Sequence, residues 1–275
     1  MGGWAPLFIA GLVTSAALDA AAQGMIMPSV SACRFDVAYE GTVANILDGR
    51  TFVLHDGREV RLAGVEVPPP RASPETGATA PVTAAKAALG ALLTGQFVQL
   101  RQAVAATDRY ARTLAHAYLT RDGVERSASH EMLAQGNARV SAPVGHLACA
   151  TELLSHERAA RAAGLGLWAS PYYGIVGAES GAELLAGRGR FTVAEGKVLS
   201  VRESGGTIYV NFGRRWSEAL TVTILKRHER MFAQAGLPPK TLQNRRIRVR
   251  GWIDERNGPR IEASYPEQIE IAELN

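Results

Sequence analysis

Cysteine is scarce: Cys33 and Cys149 are the only two in 275 residues, too few for a zinc site built on four thiolates. Long apolar runs are also missing. After the first two dozen residues no stretch approaches the length a membrane-spanning helix needs. Charge of one sign is not in large excess either, at a formal +4 with a pI near 9.3. That balance mildly favours anionic partners such as nucleic acid or anionic lipid, and a solubilising basic surface accounts for it equally well. With 47% hydrophobic and 20% charged residues, the chain has the composition of a folded protein long enough for two modest domains.

What is present begins with Met1–Ala22, an apolar core from Trp4 to Leu18 followed by Ala20-Ala21-Ala22. This reads as a secretory signal peptide cut near Ala22, although no Lys or Arg precedes the apolar part. The expectation is an exported protein, periplasmic or secreted, with residues 23–33 as a leader. In an oxidising compartment Cys33 and Cys149 read as a disulfide staple, worth roughly 4 kcal/mol by loop-closure entropy. In a reducing compartment they would be two unrelated thiols.

From Gly41 to Pro70 the chain reads as three strands joined at Asp48-Gly49 and Asp56-Gly57, turn pairs that tolerate positive φ. Phe52 and Leu54, then Val60 and Leu62, alternate as half-buried strands require. Phe35–Tyr39 reads as an added edge strand. Residues 68–81 form a Pro-rich loop. Helices are expected over Val82–Thr94, Ser127–Gly136 and Cys149–Ala163, the first two stopped by Gly95 and Gly136. Strands are expected at Gln96–Arg101 and after Asp108. Strands and helices in this order predict a mainly β, α+β unit, a five-stranded barrel flanked by helices.

Three segments carry a family likeness: DGRTFVLHDGREVRLAGVEVP from Asp48, DRYARTLAHAYL from Asp108, and the closing Glu157-x-x-Ala160-Arg161 to Trp168. Together they resemble the staphylococcal nuclease (thermonuclease) domain over residues 34–168. The resemblance implies an OB-type barrel that hydrolyses phosphodiesters. Such a barrel holds a calcium ion on aspartates, uses a glutamate as general base, and grips the phosphate with two arginines. Arg61 and Arg112 match that arginine clamp, with Tyr110 beside the second. The carboxylates match less well. Arg50 stands where the family has a calcium-ligating aspartate, Glu66 where it has another, and Pro69 where it has the base. Asp48 and Glu66 alone offer few oxygens, and a cation at position 50 would repel calcium by about 4 kcal/mol per unit charge at 4 Å. The expectation is that Arg50 pairs with Glu66 in place of the ion. A displaced base is sought in Glu75 of Pro74-Glu75, which also reads as an ordinary loop residue, or in His116, which reads better as a structural residue.

Residues 169–190 read as a Gly/Ala-rich linker with a short helix at Ala182–Ala186. Strands then resume: one long strand over Phe191–Arg202, Thr207–Phe212, Ala219–Ile224, a helix over Leu225–Ala235, Ile247–Ile253 and Arg260–Ala263. That order predicts a second OB-like barrel over 191–275. Arg214, Arg215 and Trp216, with Arg246, Arg248 and Arg250, form either a phosphate-contacting and stacking face or a solvated face paired to Glu203, Glu218, Glu262 or Glu270. Three functions stay open. One is a calcium-dependent nuclease. Another is a remodelled relative, needing no cofactor, that binds single-stranded DNA, RNA or another anion with little hydrolysis. The third is an envelope scaffold or interaction protein.

Overall fold

The period-two alternation of the first strands is what closes the first barrel. The computed structural model describes residues 1–3, 31–69, 79–103 and 107–272. Its first strand, β1 (Asp36–Ile46), pairs with β2 (Thr51–Leu54) along one edge and with β5 (Phe97–Gln102) along the other. The expected edge strand Phe35–Tyr39 is thus the first half of one central strand, bent at register shifts rather than broken. From β2 the pairing runs to β3 (Glu59–Leu62), which meets β6 (Thr113–Arg121) in parallel, and β6 returns to β5. The barrel is closed with five strands. A hairpin through Asp122 and Gly123, both at positive φ, adds β7 (Val124–Ser127) outside it.

Helix α1 (Thr79–Leu93) lies against the Asp48-Gly49 turn. Gly49 is needed there for close approach: a Cβ would sit 2.7 Å from Cβ of Ala85. Helix α2 (Ala128–Ala134) starts at Ser127, whose side chain accepts from His130 N–H at 3.4 Å, and it packs on α3 (Leu147–Ala162). The bridge Cys33–Cys149 joins the chain before β1 to α3, with Cα atoms 4.3 Å apart. Two short strands, β4 (Val65–Glu66) and β8 (Arg139–Val140), pair antiparallel with Glu66 opposite Arg139.

The stretch expected as a linker holds two short 3-10 turns, strand β9 (Ile175–Gly177) and helix α4 (Gly181–Ala186). Strand β9 pairs parallel with β10 (Phe191–Lys197) of the second barrel. The long strand expected over Phe191–Arg202 is interrupted at Val198 and Leu199. Val198 N–H donates to Arg245 and Leu199 N–H to Asn211, so the chain passes from one sheet to the next and resumes as β11 (Ser200–Ser204). Next come β12 (Thr207–Asn211), β13 (Thr221–Leu225), α5 (Glu229–Gln234), β14 (Arg246–Trp252), β15 (Asp254–Glu255) and β16 (Pro259–Glu262). Strand β13 pairs parallel with β16, and β10 antiparallel with β14. This repeats the pairing order of the first barrel, so the second is OB-type as well. Strand β17 (Ile269–Ile271) flanks β14.

Each barrel has its own apolar core, one centred on Phe52, Leu89 and Leu100, the other on Val210, Ile224 and Phe232. Residues 31–275 nevertheless form one compact unit. Among the described residues no helix is long and apolar enough to cross a membrane.

Candidate functional site

The turn between β1 and β2 and the short strand β4 meet in one buried pair. Asp48 Oδ1 accepts the backbone N–H of Arg50 at 2.8 Å, which folds the turn and sends the Arg50 side chain inward. There its guanidinium donates to the Val65 carbonyl at 3.0 Å and forms an ion pair with Glu66. Both side chains are buried. Burial raises the Glu66 carboxyl above the ordinary value, while the charge and hydrogen bond of Arg50 act to lower it.

Register places the other two arginines at the parallel seam of the barrel. Arg61, half-buried on β3, lies opposite Thr51 on one side and Leu114 on the other. Arg112 lies two residues before Leu114, just ahead of β6. Its guanidinium is held by Asp108, with Nε to Oδ2 at 2.7 Å and Nη2 to Oδ2 at 2.6 Å. Burial works the other way, but that hydrogen bond and the backbone N–H groups of Tyr110 and Arg112 hold the Asp108 carboxyl below its usual range. Tyr110 is exposed, 5.1 Å from the Arg112 guanidinium. Among the described residues no hydrogen bond or ion pair holds the Arg61 guanidinium.

A family model described as staphylococcal nuclease homologue matches residues 59–170. Over those residues the chain is similar to a staphylococcal nuclease domain. The match holds Arg61, Glu66, Pro69 and Arg112, while Asp48 and Arg50 precede it on the same barrel. No curated protein matches the chain.

Calcium, which this family implies, does not fit the residues present. The Glu66 carboxylate is engaged by a guanidinium, Asp48 caps its own turn, and Pro69 offers no donor atom. Glu75 lies outside the described residues. His116 is 1% exposed, its Nε2 bonded to the Val144 carbonyl at 3.0 Å and its ring stacked on Phe35. Burial lowers its pKa, and a histidine so enclosed is structural in the nuclease domain.

Of the two readings of the second-barrel arginines, the pairing with carboxylates is the one seen, at Glu218 and Glu270, and the arginines do not form one surface. Arg246 and Arg248 are both bonded to Glu195 across β10–β14, and Arg248 also to Glu270 on β17. Arg250 is fully buried and reaches Glu157 of α3 in the nuclease domain, at 2.9 and 2.7 Å. The physical reason is that carboxylates claim the arginines, Glu195 and Glu270 from the strands on either side of β14 and Glu157 from helix α3. Arg215 pairs with Glu218, and Arg214 is exposed. Trp216 stacks on Tyr209, ring centroids 6.0 Å apart, at an open face with Arg256 and Thr223. Sequence reasoning missed Asp108, although its i,i+4 spacing to Arg112 was a readable sign, and missed Arg139, for which no local pattern exists.

Proposed function

We propose that the nuclease domain binds the phosphodiester backbone of single-stranded DNA or RNA with weak or no hydrolysis, and without a metal. The observation that carries this reading is the Arg50–Glu66 pair, a built-in cation where the family places its ion. Arg61 and Arg112 remain at the barrel seam as phosphate-gripping groups, while Pro69 occupies the position of the base. Guanidinium forks suit phosphate oxygens whether or not the bond is later cut. Export is part of the same reading: the apolar start of the sequence and the Cys33–Cys149 bridge both suit an oxidising compartment outside the cytoplasm.

The test measures binding and cleavage of single-stranded DNA and RNA, with calcium and with chelator. The wild type is compared with an Arg61→Ala, Arg112→Ala double variant. Expected are salt-sensitive binding lost in the double variant and no calcium-stimulated cleavage. Calcium-stimulated cleavage abolished by the double change would establish the second reading, an active nuclease drawing its base from elsewhere, Glu75 first. Absence of any salt-sensitive binding would leave the scaffold reading.

A further inference from the structure

The seam between the barrels contains a cleft that the nuclease-type arginines do not use. Its walls are Tyr172, Tyr173, Phe191 and Trp252, with Val67 and Pro69 along one side. It leaves about 40 Å³ for the centres of water-sized atoms, enough for a few waters or one small oxyanion. Two arginines line it. Arg139 is 4% exposed and sits over the rings of Phe191 and Tyr173, at 5.1 and 5.6 Å. Its Nε has no hydrogen-bond partner, and Glu66 and Glu157 act on it through space without a hydrogen bond. Arg190 lies over Tyr172 at 4.2 Å, and its Nε is likewise unpartnered.

A guanidinium taken out of water without a bonded anion is costly, and aromatic faces offset only part of that cost. Arg50 and Arg250 in the same protein show the ordinary solution, a carboxylate in direct contact. Burial lowers Arg139 to about 10, so it keeps its charge at neutral pH. A second guanidinium beside it deepens the positive potential of the cleft. No nearby side chain cancels it by contact.

We propose that this cleft binds the phosphate or carboxylate group of a small ligand between Arg139 and Arg190, the aromatic walls enclosing the group and Trp252 standing at the exposed rim. Trp252 is 48% exposed and edge-on to Phe191, with ring centroids 6.0 Å apart. The proposal does not rest on Arg61 or Arg112. Pro69, at the position of the family's base, becomes a wall of a different site.

The experiment titrates the full chain calorimetrically with sodium phosphate and, separately, sodium acetate, each at matched ionic strength in chloride. Thermal midpoints are read in parallel. Expected is saturable binding of at least one anion, weakened about tenfold or more by Arg139→Met and severalfold by Arg190→Ala. Each titration is repeated in the Arg61→Ala, Arg112→Ala background, so that phosphate held by that clamp is not counted as cleft binding. In anion-free buffer Arg139→Met should melt no lower than wild type, because it removes an unpaired buried charge. Preference for phosphate assigns a phosphate-bearing ligand, and preference for acetate assigns a carboxylate. A midpoint rise shared by every variant marks a general salt effect and overturns the proposal. So does binding that, in the Arg61→Ala, Arg112→Ala background, survives Arg139→Met or is absent from the start. If Arg139→Met fails to fold, retention of full affinity by Arg190→Ala overturns it.

Discussion

Ala111 has φ +62°, a left-handed conformation that costs an L-residue with a Cβ roughly 1 kcal/mol. The strain lies between Tyr110 and Arg112, where the chain turns into β6 and Asp108 gathers the backbone N–H groups of both neighbours. Ala111→Gly should relieve it at the same geometry. We expect a gain of about 0.5–1 kcal/mol, a rise in thermal midpoint of about 1–3 °C, and unchanged nucleic-acid affinity. A lower midpoint would show that the Ala111 side chain contributes more than its backbone costs. At Arg50 the chemistry can be run backwards. Arg50→Asp restores a family carboxylate beside Glu66, so the variant should melt higher in calcium than in chelator. The wild type should show no such difference. Equal calcium responses in both would refute Arg50 as the reason calcium does not fit.

The two helices α2 and α3 meet over a small imidazole cluster. His130 stacks on His156 with ring centroids 4.6 Å apart, and its Nδ1 lies 3.8 Å from Glu152. Burial, with help from His156 and His116, lowers His130 to about 4 against the pull of Glu152 and Glu131, and burial lowers His116 too. Both groups bind a proton more weakly folded than unfolded. The stability they contribute is therefore complete above about pH 6.5 and is lost as pH falls toward 4. For His130 the loss amounts to about 3 kcal/mol. Urea midpoints measured from pH 7 to 4.5 should fall, and His130→Gln should flatten the slope. An unchanged slope in that variant would remove His130 from the account. Elements of this kind were legible where the signal is local. Alternation, the Asp-Gly pairs and the glycine stops located the strands and helices within a few residues, and motif register brought Arg50 to Glu66. The broken strand at Val198 and the continuous β1 depend on partners far along the chain, which periodicity does not encode. The arginines of β14 show the limit most sharply. Their spacing was visible, but Glu195, Glu270 and Glu157, which claim them, come from three other elements.

At the scale of the whole molecule, the two barrels are held by charge. Glu157 is fully buried, accepts from the Val140 N–H at 2.6 Å and from Arg161 at 3.2 Å, and meets Arg250 through both oxygens. Glu270 of the second barrel in turn receives Arg158 and, more distantly, Arg161 of α3, and Val144 N–H donates to Glu267 at 3.0 Å. A seam of this kind is sensitive to single deletions, because the surviving partner is left charged and dry. Glu157→Leu should therefore cost about 3–5 kcal/mol, read as a lower denaturant midpoint. Adding Arg250→Met to it removes the stranded guanidinium, so the double variant should recover most of the loss even though it has one interaction fewer than the wild type. The comparison separates two views of the seam. If the pair acts as a net attraction, the double variant stays as weak as the single one. If the cost lies in the orphaned charge, the second substitution repairs the first, and the ionic seam then serves to fix how the barrels meet more than how tightly they hold.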